Sequence, residues 1–117
     1  MSPLPFAIHG LGRIGRALLR IAHRRPDLCP VTVADLASAE ELARLVTRDS
    51  VHGRFDAVVR AEGNTLWLDD TPIRVLSGTA GGPIDWSETG ARVVVESTGG
   101  AIERHRAAEH LGGTGVV

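Results

Sequence analysis

Gly10-Leu11-Gly12-Arg13-Ile14-Gly15 carries the pattern G-x-G-x-x-G, and an acid, Asp35, follows about 20 residues beyond the last glycine. These residue types at this spacing can hold the phosphates and one ribose of a dinucleotide. The first glycine permits a tight turn, the second lets backbone approach a pyrophosphate, and the third lets a helix pack closely on a strand. A helix opening at Arg13 would aim its N–H groups and positive dipole end at the phosphates. The Asp35 carboxylate can accept hydrogen bonds from both adenosine-ribose hydroxyls and would repel a 2′-phosphate, which favours NAD over NADP. The glycine pattern alone is weak, since a glycine-rich turn that merely packs a helix on a sheet has it too. Arg13 and Arg16 flank the glycines; solvent exposure is the plain reading of both, and for Arg16 a place at the site stays equally open.

The elements needed to position these residues are legible around them. Pro5 to His9 is short and apolar and ends at Gly10, as a buried strand does. Ile14, Ala17, Leu18, Ile21 and Ala22 fall at helical spacing between Arg13 and Arg24, and Pro26 closes that helix. Val31, Val33 and Ala34 predict a second strand ending at Asp35. Ser38 and Glu41 form an S-x-x-E capping box that opens a helix with Leu42, Leu45 and Val46 on one face. Three short strands are expected over Ala57–Ala61, Thr65–Leu68 and Ile73–Leu76, with Gly63-Asn64 as a hairpin turn and Asp69-Asp70 before Pro72 dividing the next pair. Gly78 to Pro83 reads as a loop, Val93 to Val95 as a strand, Ile102 to Leu111 as a helix and Val116-Val117 as the start of another strand. The order βαβα, meander, βαβ predicts an α/β fold: a Rossmann-like, mainly parallel, doubly wound sheet with a small antiparallel insertion.

Composition narrows the function classes. The chain has 117 residues, enough for one domain, and its 43% hydrophobic content argues against disorder. A net charge of -1 and 3% aromatic residues give no reason to expect nucleic acid as a partner. No apolar run approaches a membrane span, and the first residues lack the pattern of a secretory signal, so a cytoplasmic protein is expected. Cys29 is the only thiol. It lacks a motif that would supply a base and reads as an inert, partly buried residue. His52 is read as structural, and His9 as a steric feature beside the glycine loop. His105 and His110 are wrongly spaced for a shared metal on one helix face, so no metal site is expected. Glu103, Arg104, Arg106 and Glu109 read as a solvated helix face.

Five segments go further than a generic dinucleotide fingerprint. Ala7 to Arg16 resembles the opening of glyceraldehyde-3-phosphate dehydrogenases. Asp49-Ser50-Val51-His52-Gly53-Arg54-Phe55 is similar to that family's D-S-T-H-G-R-F segment. Pro72-Ile73 with Ile84-Asp85-Trp86 resembles its next strand and following Trp. Glu96-Ser97-Thr98-Gly99 is similar to its E-[SA]-T-G block, and His110-Leu111 with Gly115-Val116-Val117 to its next strand entry. The resemblance spans the chain in order. It implies a glycolytic oxidoreductase that uses NAD, with Gly10, Leu11, Gly12, Arg13, Ile14 and Gly15 on the pyrophosphate, Asp35 on the adenosine ribose, and Thr98 and Gly99 beside the cofactor. The family is typically tetrameric, which makes a homo-oligomer or a separate catalytic domain the expected protein partner.

The chain also departs from the family pattern. His9 and Ala34 stand where Asn is usual, Gly78-Thr79-Ala80-Gly81 replaces an E-R-D-P stretch whose Arg frames the adenine, and Thr114-Gly115 replaces a basic pair. The family's nucleophilic Cys, in an S-C-T-T-N motif, and its activating His have no counterpart in these residues. The expectation is therefore a partial NAD-binding domain over residues 1–117 without the catalytic domain, itself inactive. The rival expectation is a free-standing, non-catalytic dinucleotide-binding or subunit-interaction protein of the same descent. Erythrose-4-phosphate dehydrogenases share much of this pattern, so the resemblance admits either aldehyde.

Overall fold

The computed structural model describes residues 3–48, 57–77, 86, 89–97 and 115–116. At its centre is β1 (Leu4–His9), an apolar strand whose last four residues are all buried. Burial on both faces is what a central parallel strand requires, because each face must be covered. The chain then forms α1 (Arg13–His23), β2 (Leu28–Asp35), α2 (Ala39–Thr47), β3 (Val59–Glu62), β4 (Thr65–Leu68), β5 (Thr71–Ser77), β6 (Val93–Glu96) and β7 (Gly115–Val116).

These strands make one seven-stranded sheet in the order β3-β4-β5-β2-β1-β6-β7. The pairs β5-β2, β2-β1, β1-β6 and β6-β7 are parallel, while β3-β4 and β4-β5 are antiparallel. The chain moves outward from β1 through β2, then returns to lay β6 on the other side of β1. That reversal is the expected doubly wound topology, and it opens a crevice beyond the carboxyl end of β1. The antiparallel meander is the expected insertion, and its last strand, β5, is also a parallel neighbour of β2.

Several expectations shift in detail. β2 begins at Leu28 and so contains Pro30, whose missing N–H cannot join the ladder; the β1–β2 register slips between Phe6 and Ala7 at that point. Gly63 has a positive φ of 60° in the tight turn between β3 and β4, the first-position geometry that glycine supplies. The inward face of α1 is Gly15, Leu19 and Ala22, whereas Ile14 is 75% and Ile21 56% exposed. Of the apolar stripe expected from Ile14, Ala17, Leu18, Ile21 and Ala22, Ala22 is buried and Leu18 packs on the core, while Ile14 and Ile21 face outward because Gly15 must lie against β1. In α2 the buried residues are Ala39, Leu42 and Val46, and Leu45 is exposed. The expected Gly78–Pro83 loop and the Ile102–Leu111 helix lie outside the described residues.

The two faces of the sheet are covered differently. Phe6, Ile8, Val33, Leu66, Leu68, Ile73 and Val75 meet Leu19, Ala22, Leu42 and Val46 from α1 and α2 in one core. On the other face, Trp86 is fully buried over Ala7, Ala34 and Val94. Small residues on β1 and β2 leave room for the indole, the one large side chain buried on this face among the described residues.

Candidate dinucleotide site

β1 ends at His9, and Gly10 turns the chain with φ 94°, a region in which glycine alone is unstrained. The turn is pinned from both neighbouring strands. The Gly10 N–H donates to the Ala34 carbonyl of β2 (2.7 Å), and the Ser97 N–H, beyond β6, donates to the His9 carbonyl (2.8 Å). The Ser97 hydroxyl donates to the Gly10 carbonyl at 2.6 Å.

The second and third glycines answer to different neighbours. A Cβ on Gly15 would collide with the Gly10 carbonyl oxygen and stand 3.1 Å from Ser97 Oγ and 3.3 Å from Ile8 Cγ2. Gly15 is therefore required by the packing of α1 on β1. A Cβ on Gly12 would meet nothing within 4 Å. Nothing in the packing demands a glycine there, and the open space above its backbone is a cradle into which a ligand can come close. Gly12 is also the N-cap of α1; no side chain caps it and no acid stands in the first turn. The N–H groups of that first turn and the dipole end therefore keep their attraction for an anion. Arg13 is exposed at the same turn. Arg16 is half-buried and donates through Nη1 to the Leu11 carbonyl at 3.2 Å, so it braces the loop and the solvent-exposed reading does not hold.

Asp35 closes β2 beside this loop. Its Oδ2 accepts the Leu11 N–H at 2.7 Å, and its Oδ1 accepts the Ala37 N–H at 3.0 Å. A carboxylate has about four acceptor positions, so two remain for the vicinal hydroxyls of a ribose. The same two backbone bonds hold the carboxylate aimed. Leu36, next to it, is 69% exposed and offers an apolar surface at the rim of the crevice.

His9, for which a steric role is the simpler expectation and cofactor contact the alternative, has a defined place. It is 5% exposed; its Nδ1 lies 2.7 Å from Glu96 Oε2, and its ring meets Trp86 edge-on at 5.8 Å between centroids. The parallel register sets His9 opposite Glu96. Sequence spacing gave no sign of this pair, which joins residues 87 apart.

The structure thus brings Gly10, Leu11, Gly12, Arg13, Ile14, Gly15 and Asp35 to one end of the sheet. Thr98 and Gly99, and the segment holding His52, lie outside the described residues. Cys29 is half-buried on β2 opposite Pro5, at the second position of a strand whose far end carries Asp35. Among the described residues no cluster of three or more side chains could hold a metal ion, and no helix is long and apolar enough to cross a membrane.

Residues 4–104 match the family profile of the glyceraldehyde 3-phosphate dehydrogenase NAD binding domain. The chain belongs to this family. It is 45% identical over 104 residues to glyceraldehyde-3-phosphate dehydrogenase of Geobacillus stearothermophilus, a match covering 89% of this chain and 31% of that protein. Identity is 42% to glyceraldehyde-3-phosphate dehydrogenase 1 of Bacillus subtilis (strain 168) and 41% to the cytosolic enzyme of Leishmania mexicana, with the same shares of each chain covered. The chain therefore spans about a third of the length of these curated relatives. As a member of the glyceraldehyde-3-phosphate dehydrogenase NAD-binding family it is an NAD-binding domain of Rossmann type. The open cradle at Gly12 and the oriented carboxylate of Asp35 fit that cofactor.

Proposed function

We propose that this chain holds NAD with Gly10–Gly15 around the pyrophosphate and Asp35 on the adenosine ribose, as the cofactor-binding part of a phosphorylating aldehyde dehydrogenase. One observation carries the reading: a carboxylate fixed by the Leu11 and Ala37 amides stands beside a helix N-terminus whose second glycine faces open space. Bound NAD supplies the hydride acceptor. The chain's own residues bind and orient it: the first turn of α1 meets the phosphates, Asp35 meets the ribose, and Thr98 and Gly99, which follow Ser97 in the sequence, are the remaining cofactor-binding residues of this reading. Within residues 1–117 none is assigned to bond making or proton transfer. The thiol nucleophile and its base belong to a separate catalytic domain, and a second copy of the chain is the other expected partner. Neither nucleic acid nor a membrane has a place in this reading. The cytoplasm is its setting, as the cytosolic relatives of Leishmania mexicana and Trypanosoma brucei brucei suggest.

Calorimetric titration with NAD and NADP tests the assignment. A charge-assisted hydrogen bond is worth ~1.5–3 kcal/mol, so Asp35→Ala should raise the Kd for NAD by about tenfold or more. Equal affinities in wild type and variant, or a wild-type preference for NADP, would show that Asp35 does not read the ribose.

A further inference from the structure

The carboxyl end of β6 grips the first turn of the glycine loop. Glu96 Oε2 meets His9 Nδ1 at 2.7 Å, the Ser97 N–H donates to the His9 carbonyl at 2.8 Å, and the Ser97 hydroxyl donates to the Gly10 carbonyl at 2.6 Å. The Glu96 and His9 side chains are 12% and 6% exposed, so this contact is shielded from water. An ionised carboxylate only accepts, so His9 Nδ1 carries the proton of that bond. Gly10 is the residue with φ 94°, and its carbonyl is the atom that Gly15 must clear. The direction of that carbonyl therefore sets both the turn and the seating of α1.

We propose that Glu96, acting through His9, and Ser97, acting through the His9 and Gly10 carbonyls, are positioning residues that hold the pyrophosphate-binding turn in its working shape. The inference rests on the loop being the dinucleotide site. It assigns this role to side chains that touch the loop from behind rather than the cofactor. Chemistry at the His9 position needs a donor atom three bonds from Cα. An Asn side-chain nitrogen stands at the same remove, so Asn can make the bond to Glu96, and the remainder of the imidazole ring packs on Trp86.

The test uses the full 117-residue chain with two probes. NAD engages both the turn and Asp35, whereas adenosine lacks the pyrophosphate. Calorimetry with NAD and ligand-detected NMR with adenosine are applied to wild type, His9→Ala, His9→Asn, Ser97→Ala and Asp35→Ala. His9→Ala and Ser97→Ala should weaken NAD about three- to tenfold, the effect of one lost hydrogen bond, and leave adenosine within about twofold. His9→Asn should restore NAD binding, and Asp35→Ala should weaken both ligands. Equal losses for NAD and adenosine, or His9→Asn as poor as His9→Ala, would mean that these residues only support the fold, and would overturn the proposal. Unchanged NAD affinity in both alanine variants, with Asp35→Ala still impaired, overturns the proposal and leaves the site assignment standing. A wild type that binds no NAD, or a silent Asp35→Ala, removes the site assignment and the proposal with it. Should circular dichroism show His9→Ala unfolded, Glu96→Ala against Glu96→Gln makes the same comparison, because the glutamine oxygen still accepts from His9.

Discussion

Alanine at Gly15 and alanine at Gly12 probe the same loop for opposite reasons. At Gly15 the new methyl group meets a backbone carbonyl that cannot rotate away, with Ser97 Oγ at 3.1 Å and Ile8 Cγ2 at 3.3 Å. Overpacking of this kind costs ~1–3 kcal/mol, and pushing Ser97 aside forfeits a hydrogen bond worth ~0.5–1.5 kcal/mol. Replacing glycine inside a helix returns ~0.5–1 kcal/mol. The net loss is ~1–3 kcal/mol from a total of ~5–15 kcal/mol, which should lower the Tm by about 5–10 °C. At Gly12 the methyl group meets nothing, and φ -79° suits alanine. Only the N-cap preference is disturbed, at ~1 kcal/mol or less, but the methyl group enters the space that a pyrophosphate needs. Gly12→Ala should therefore lose at least about tenfold in NAD affinity while melting within a few degrees of wild type. Thermal melts and NAD titrations of the two variants separate the effects. Gly15→Ala melting at the wild-type temperature would refute the packing argument, and Gly12→Ala binding NAD within about twofold of wild type would refute the cradle.

Three further outcomes are expected. Asp69 accepts the Val58 N–H at 2.9 Å and lies 3.0 Å from His23 Nε2; the Val58 amide, then His23, hold its carboxyl below the ordinary 3.8. A depressed carboxylate contributes stability that is present above its unfolded pKa and lost as pH falls through the folded one, so Asp69→Asn should flatten the wild type's loss of denaturation midpoint below about pH 4, and an unchanged acid limb would count against the contact. Trp86→Ala should cost ~3–5 kcal/mol, because among the described residues only alanines and one valine are otherwise buried on that face; a loss under ~1 kcal/mol by denaturant melts would mean the face is filled some other way. The 117-residue chain, given glyceraldehyde 3-phosphate, phosphate and NAD, should form no NADH above blank, and turnover abolished by Cys29→Ser would make Cys29 a nucleophile after all.

What the sequence made legible was what local spacing encodes. The glycine triplet between an apolar run and a helical stripe, Ser38 with Glu41, and Gly63-Asn64 each act through neighbours a few residues away, and each lies where expected. The Glu41 N–H donates to Ser38 Oγ at 3.2 Å, as a capping box requires. The distal acid could be placed because strand and helix lengths fix its distance from the loop. The rest depended on pairings between remote segments. Nothing near His9 indicates Glu96, nothing near Ala7 indicates Trp86, and the rotation of α1 that exposes Ile14 and Ile21 follows from Gly15 rather than from the apolar pattern. The membership of β5 in both the meander and the parallel sheet is likewise a matter of which strand lies beside β2, and periodicity carries no record of that.

The partner that finishes the glycine turn arrives late along the chain. His9 and Gly10 emerge early in synthesis, yet Glu96 and Ser97 lie 87 residues later, and β1 cannot gain its second neighbour until β6 has been made. Closing a loop of that length carries an entropic cost that shorter-range contacts such as β3-β4 do not bear, and parallel pairing of distant strands is slow. A nascent chain on the ribosome therefore displays the complete G-x-G-x-x-G segment long before that segment has its binding shape. Contacts within the meander and at the helix caps close shorter loops than those that complete the cofactor crevice, so dinucleotide binding is expected to report a later folding step than they do.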